Sequence, residues 1–126
     1  MHEFGDSSSA DILEKRGGWF IGHFIDDSEI RQSTVVEVKW GQHKKGEKNA
    51  GGFTENKTAT TMSVLISGTF CLRFKDGDNV EEQVLDAPGK YAVWSPAVFH
   101  DWEAMGDCVV LTVRWPSLPK DQVAES

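Results

Sequence analysis

Three side chains in this sequence have the chemistry to hold a metal or to move a proton: His43, Glu47 and His100. An imidazole binds a divalent metal through its bare ring nitrogen and titrates near neutrality, so either histidine can act as ligand or as general acid and base. An open catalytic metal site normally takes three protein ligands beside water, so a divalent transition metal here would need all three groups. His100 lies in Phe99-His100-Asp101-Trp102, where strand alternation puts His100 and Trp102 on one face and Phe99 and Asp101 on the other. The competing reading of His100 is a structural histidine bonded to a backbone carbonyl. His43 sits at the start of a polar, glycine-rich stretch running from Gly41 to Lys57, which reads as a long loop. Glu47 completes the set only if that loop folds over His43; otherwise it is a solvated carboxylate. His2 and His23 have no companions of this kind.

The remaining site candidates are aromatic or polar. Trp94 and Trp102 flank the Pro96 to His100 turn and can line a pocket for an apolar or ring-shaped ligand, or simply fill the core. Thr61, Ser63 and Arg73 are the polar strand residues expected beside them. Other standard chemistries lack their residues: the pairs Gly17-Gly18 and Gly51-Gly52 have no phosphate-loop flanks, there is no GxSxG, and neither cysteine has a histidine near it in sequence.

These side chains must be carried by strands. From Trp19 onward the chain breaks into short runs rich in Val, Ile, Thr, Phe and Trp separated by turn residues, the pattern of a sandwich or barrel. The runs are Trp19–Ile25, Ser33–Trp40, Thr58–Ile66, Thr69–Phe74, Glu82–Asp86, Tyr91–Trp94, Phe99–Glu103 and Cys108–Trp115. In Val36-Glu37-Val38-Lys39-Trp40 and in Phe70-Cys71-Leu72-Arg73-Phe74 the apolar residues recur at every second position and share a face. Ser67-Gly68 and Asp76-Gly77-Asp78-Asn79 read as hairpin turns. No long helix is expected. Residues 1–15 read as a loose arm, 16–118 as one domain, and 119–126 as a polar tail.

TTMSVLISGTFCLRF followed by VLDAPGKYAVWSPAVFHDWEA resembles the two signature motifs of the cupin superfamily, with Gly68 as the glycine of the first and Gly89, Pro96 and His100 in the second. The resemblance covers about Trp40 to Ala104, and the end segment VVLTVRWPS is similar to that of small stand-alone bacterial cupins. It implies an all-β jelly-roll barrel, a double-stranded β-helix, with the site at its mouth. It also implies pairing through outward sheet faces into a homodimer. Many cupins hold a metal with two histidines and a glutamate from the first motif and a histidine from the second. Here the match is partial: His43 stands where the pair begins, Lys45 takes the second place, and Thr61 takes the place of the glutamate seven residues before Gly68.

A net charge of -7 argues against nucleic acid or an anionic membrane as partner, because both require clustered Lys and Arg. The sequence shows no apolar run near the roughly 20 residues that span a bilayer, and Cys71 and Cys108 read as reduced, buried thiols of a cytoplasmic protein. The expectation is therefore a cupin that binds a small molecule, with an eroded metal site. The alternatives are a metal-dependent enzyme of dioxygenase or isomerase type using His43, Glu47 and His100, and a metal-free sugar isomerase or epimerase with His100 as base.

Overall fold

The computed structural model describes residues 1–125 and contains one short helix and ten strands. The helix, α1, covers Ala10–Arg16. The strands are β1 (Trp19–Ile21), β2 (Glu37–His43), β3 (Thr54–Asn56), β4 (Thr60–Ser67), β5 (Phe70–Asp76), β6 (Asn79–Leu85), β7 (Tyr91–Trp94), β8 (His100–Ala104), β9 (Cys108–Trp115) and β10 (Gln122–Ala124). They form two five-stranded sheets, in the orders β1-β2-β9-β4-β7 and β10-β3-β8-β5-β6, with every strand pair antiparallel. The expected two-sheet, all-β architecture is what the chain adopts.

Asp76-Gly77-Asp78-Asn79 is the hairpin expected of it, because Asp76 pairs with Asn79 and Gly77 takes the positive φ that the turn requires. Ser67-Gly68 is not a hairpin. β4 belongs to the first sheet and β5 to the second, so these residues form a corner where the chain changes sheets. Gly68 sits there at φ 87°, and a Cβ on it would run into the Asp107 carbonyl and the backbone of Cys108.

Three segments differ from expectation. The loose arm contains α1, which lies against β1 and β2. The polar tail contributes β10, and the Asp121 carboxylate accepts the backbone N–H groups of Thr58 at 2.9 Å and Ala59 at 3.0 Å. The long loop begins three residues later than expected, because Gly41, Gln42 and His43 continue β2 and pair with Val110, Val109 and Cys108. It is interrupted by β3, and its middle is tied to the second sheet by bonds between Gly46 and Ala104, Ala104 and Glu47, and Asn49 and Trp102. Among the described residues no helix is long and apolar enough to cross a membrane.

The apolar core lies between the sheets around Leu65, Phe70, Leu72, Leu85, Trp94 and Val110. It fills only part of the interior. In β2 the inward residues are the polar set, Glu37, Lys39, Gly41 and His43, while Val38 and Trp40 face outward.

Candidate functional site

The register of the first sheet sorts its inward side chains into rows. Glu37 pairs with Arg114, Arg114 with Thr61, and Thr61 with Trp94, which forms one row across four strands. The next row is Trp19, Lys39, Thr112 and Ser63. A third contains Gly41, Val110 and Leu65, and a fourth His43 and Cys108. The second sheet answers with Phe70, Leu72 and Phe74 on β5 and with His100 and Trp102 on β8. Apart from Glu37, Leu65, Phe74 and Cys108, these residues line a cavity with about 50 Å³ open to the centres of water molecules, room for a few waters or a small polar molecule.

One end of the cavity is cationic. Arg114 donates from one terminal nitrogen to Glu37 at 3.5 Å and from the other to the side-chain oxygen of Gln122 at 3.3 Å. Lys39 meets no carboxylate among the described residues; burial, reinforced by the charge of Arg114, pushes its ammonium down to about 8. Both cations lie over the Trp19 ring, Arg114 at 4.7 Å and Lys39 at 5.8 Å from its centroid. Three buried donors here have no partner in the protein: Arg114 Nε, Thr61 Oγ1 and Trp94 Nε1. A buried donor without an acceptor is costly, so this row is shaped to receive one.

The other wall is aromatic and carries both histidines. His43 packs on Trp102 at 4.4 Å and on Phe70 at 5.9 Å, while His100 packs on Trp94 at 4.8 Å. His100 Nδ1 lies 3.1 Å from the Val98 carbonyl, which can only accept, so that nitrogen carries the proton. His43 Nδ1 likewise donates to Glu47 Oε2 at 3.1 Å. In each ring Nε2 is left bare. His43 Nε2 folds over Gly41, where a Cβ would come within 3.0 Å of it. Burial lowers both imidazoles below their ordinary range; for His43 the charge of Lys39 adds to the effect and Glu47 opposes it, and for His100 the Val98 bond opposes it.

The structure therefore gathers six of the expected residues in one cavity: His43, Thr61, Ser63, Trp94, His100 and Trp102. It corrects the placement of His43, which is the last residue of a central strand and not part of a loop. It excludes Arg73, which lies on the outer face between Phe70, Leu72 and Phe74. There it binds Glu82 at 3.1 Å and Glu103 at 2.9 Å, with Asp101 at 3.7 Å. Lys39, Arg114, Thr112 and Trp19 are cavity residues that the sequence reading missed. Alternation contained the signal, since Lys39 and His43 are four apart and share a face.

A metal does not fit these residues. Glu47 reaches His43 but is half-exposed, and its Oε2 already accepts from His43 Nδ1 and from the Lys44 amide at 3.0 Å. Among the described residues no three His, Cys, Asp or Glu side chains converge on one point. The remaining charged groups lining the cavity, Lys39 and Arg114, repel a cation.

The same two-sheet barrel occurs in several solved structures. A sugar 3,4-ketoisomerase from Thermoanaerobacterium thermosaccharolyticum, in complex with TDP, superposes with a TM-score of 0.62 at 18% identity, over 70% of this chain and 65% of that one. KdgF from Halomonas sp. gives 0.57 at 16% identity, over 69% and 74%. A protein with a double-stranded β-helix domain from Klebsiella pneumoniae gives 0.61 at 18% identity, over 75% and 74%. The fold is that of the cupins. No family model matches the sequence. No curated protein matches it either. The chain spans about 65% of the ketoisomerase's length, and at these identities the likeness concerns the fold.

The hydrogen bonds to Val98 and Glu47 lead to one spectroscopic expectation. In long-range ¹H–¹⁵N spectra His43 and His100 should both show the Nδ1–H tautomer at pH 7, with titration midpoints below 6.5. An Nε2–H tautomer at either residue would contradict the geometry.

Proposed function

We propose that this cupin binds a small carboxylate in its barrel, and one observation carries the reading. Two cations, Lys39 and Arg114, line the cavity with no Asp or Glu among its lining residues, Glu37 and Asp121 acting on Arg114 from beside it, and three donors there lack acceptors. A carboxylate would neutralise the excess charge and accept from Arg114 Nε, Thr61 and Trp94, which form part of one row. The volume of about 50 Å³ favours a ligand of few heavy atoms. It argues against a bulky nucleotide sugar held wholly inside.

A second reading, a metal-free isomerase with His100 as base, draws support from His100 lining the cavity with its Nδ1 committed to Val98 and its Nε2 unprotonated. On this reading a carboxylate held by Arg114 presents its α-hydrogen to His100. Deuterium from solvent should then enter that position, and His100→Asn, whose amide can still donate to Val98, should abolish the exchange. No exchange in the unaltered protein would leave binding without chemistry.

We also infer that the cupin pairs as a homodimer through the outer face of the first sheet. Val38, Val113, Met62 and Val93 form one outer row, and Trp40, Leu111, Val64 and Tyr91 the next, with Tyr91 64% and Val93 52% exposed. The outer face of the second sheet instead carries Arg73, Glu82, Asp101 and Glu103. Between copies of charge -7, an uncharged face brings the least repulsion into the contact. Light scattering should give about twice 14.0 kDa, and a mass of one chain at micromolar concentration would overturn the pairing.

For the ligand, titration with propionate should shift the Trp94 indole N–H resonance, whereas propanamide should not. Lys39 is a cation below about 8 and neutral above it, while Arg114 stays charged and both imidazoles are already neutral. Propionate affinity should accordingly fall as pH rises through 8. Lys39→Met should weaken binding by about 1 kcal/mol, roughly 5-fold, because it removes a nearby positive charge rather than a hydrogen bond to the carboxylate. Equal shifts with acid and amide would refute the reading.

A further inference from the structure

Lys39 offers more than this binding reading requires. Arg114, Thr61 and Trp94 supply a guanidinium N–H, a hydroxyl and an indole N–H along one row, enough to seat a carboxylate. Lys39 stands one row further along the barrel, paired with Thr112, which pairs in turn with Ser63. Its only charged neighbour of consequence is another cation, and burial brings its ammonium down to about 8, so roughly a tenth of the amine is unprotonated at pH 7, far more than for an exposed lysine. An unprotonated lysine in a desolvated pocket is a nucleophile toward carbonyl carbon.

We propose that Lys39 forms an imine with a small 2-oxo acid whose carboxylate is seated on Arg114, Thr61 and Trp94. This rests on the carboxylate-binding reading and adds a covalent step to it. The rows explain the choice of ligand. In a 2-oxo acid the carbonyl carbon is bonded directly to the carboxylate, just as Lys39 occupies the row adjoining Arg114, with both cations over the Trp19 ring. The interior, with about 50 Å³ open to the centres of water molecules, suits a short acid such as glyoxylate or pyruvate.

The step balances without an oxidant or reductant. The Nζ lone pair attacks the carbonyl carbon, a C–N bond forms, and the C=O π pair moves to oxygen, which takes up a proton as nitrogen loses one. The resulting carbinolamine then expels its hydroxyl as water while nitrogen shares its pair to form C=N and gives up its remaining proton. One amine and one carbonyl become one imine and one water. Ser63 Oγ and Thr112 Oγ1, 2.8 Å apart in the Lys39 row, are the hydroxyls placed to carry protons to and from the carbonyl oxygen.

The test treats the full-length protein with glyoxylate or pyruvate and sodium cyanoborohydride, followed by intact mass spectrometry and peptide mapping. A single secondary-amine adduct should appear on Lys39 ahead of every other lysine, and Lys39→Arg should lack it. Acetaldehyde, which has the carbonyl but no carboxylate, should label Lys39 at least about 10-fold more slowly, a difference of about 1.4 kcal/mol. If propionate shifts the Trp94 indole but Lys39 is labelled no faster than surface lysines, the imine is wrong and carboxylate binding stands. If acetaldehyde labels Lys39 as fast as glyoxylate, the carboxylate seat plays no part and the proposal fails. If propionate has no effect and Lys39 is not labelled, both readings fall together.

Discussion

Arg114 lies inside the barrel, and Glu37 is the group that makes a guanidinium tolerable there. Removing a charge from water costs several kcal/mol unless an opposite charge and further hydrogen bonds replace the lost hydration. Glu37 provides the opposite charge at 3.5 Å and is itself held by the Ser117 hydroxyl at 2.9 Å. Ser117 in turn accepts from the backbone N–H and the Nδ1 of His23 at 3.0 and 2.7 Å. Thus β2, the turn after β1 and the segment after β9 are joined through one carboxylate. Burial lowers the Arg114 guanidinium while Glu37 opposes that effect, and its Nε–H is still left without an acceptor. A charge held in place yet incompletely satisfied is what the proposed carboxylate binding rests on.

From that charge the interior grades into an aromatic wall. Lys39 follows Arg114, the hydroxyls of Thr112 and Ser63 bond to one another, and beyond them lie Val110 and then His43, stacked on Phe70 and tilted against Trp102. Each histidine is anchored by Nδ1 to an acceptor outside the cavity, so its orientation and its bare nitrogen are set before any ligand arrives. The same cations that favour a carboxylate disfavour a metal ion. Thr61 is uncharged where it lies beside Arg114 and Lys39, so the charges lining this end of the cavity are both positive.

The two outer faces differ as strongly as the two ends of the cavity. The second sheet carries Arg73 between three carboxylates, and their hydrogen bonds raise its guanidinium further above its ordinary value. Such a face is content in water. The first sheet shows rows of Val, Met, Leu, Trp and Tyr, and α1 covers only the end near β1 and β2. Apolar residues therefore concentrate on the outside of one sheet while charges occupy the inside of the same sheet.

That inversion separates what the sequence determined from what the tertiary structure decided. Local patterning was sufficient for the all-β class, for most strands, for the Gly77 hairpin and for placing His100 with Trp102 on one face, since these depend on residues close in the chain. A period of two also tells which residues share a face, but not which face is inside. Along β2 and the residue before it, Val36, Val38 and Trp40 share one face, but it is the other face, with Lys39 and His43, that points inward, so alternation alone did not single out Lys39. In β5 the same period placed Arg73 opposite Phe70, Leu72 and Phe74, and its inclusion in the pocket disregarded that rule. Only tertiary structure joins Glu37 to Arg114, 77 residues apart, turns Ser67-Gly68 into a corner between sheets, and pairs the tail strand β10 with β3. Closing two sheets around a shared interior brings distant charges together, and their mutual neutralisation is a property of that enclosure rather than of any local segment.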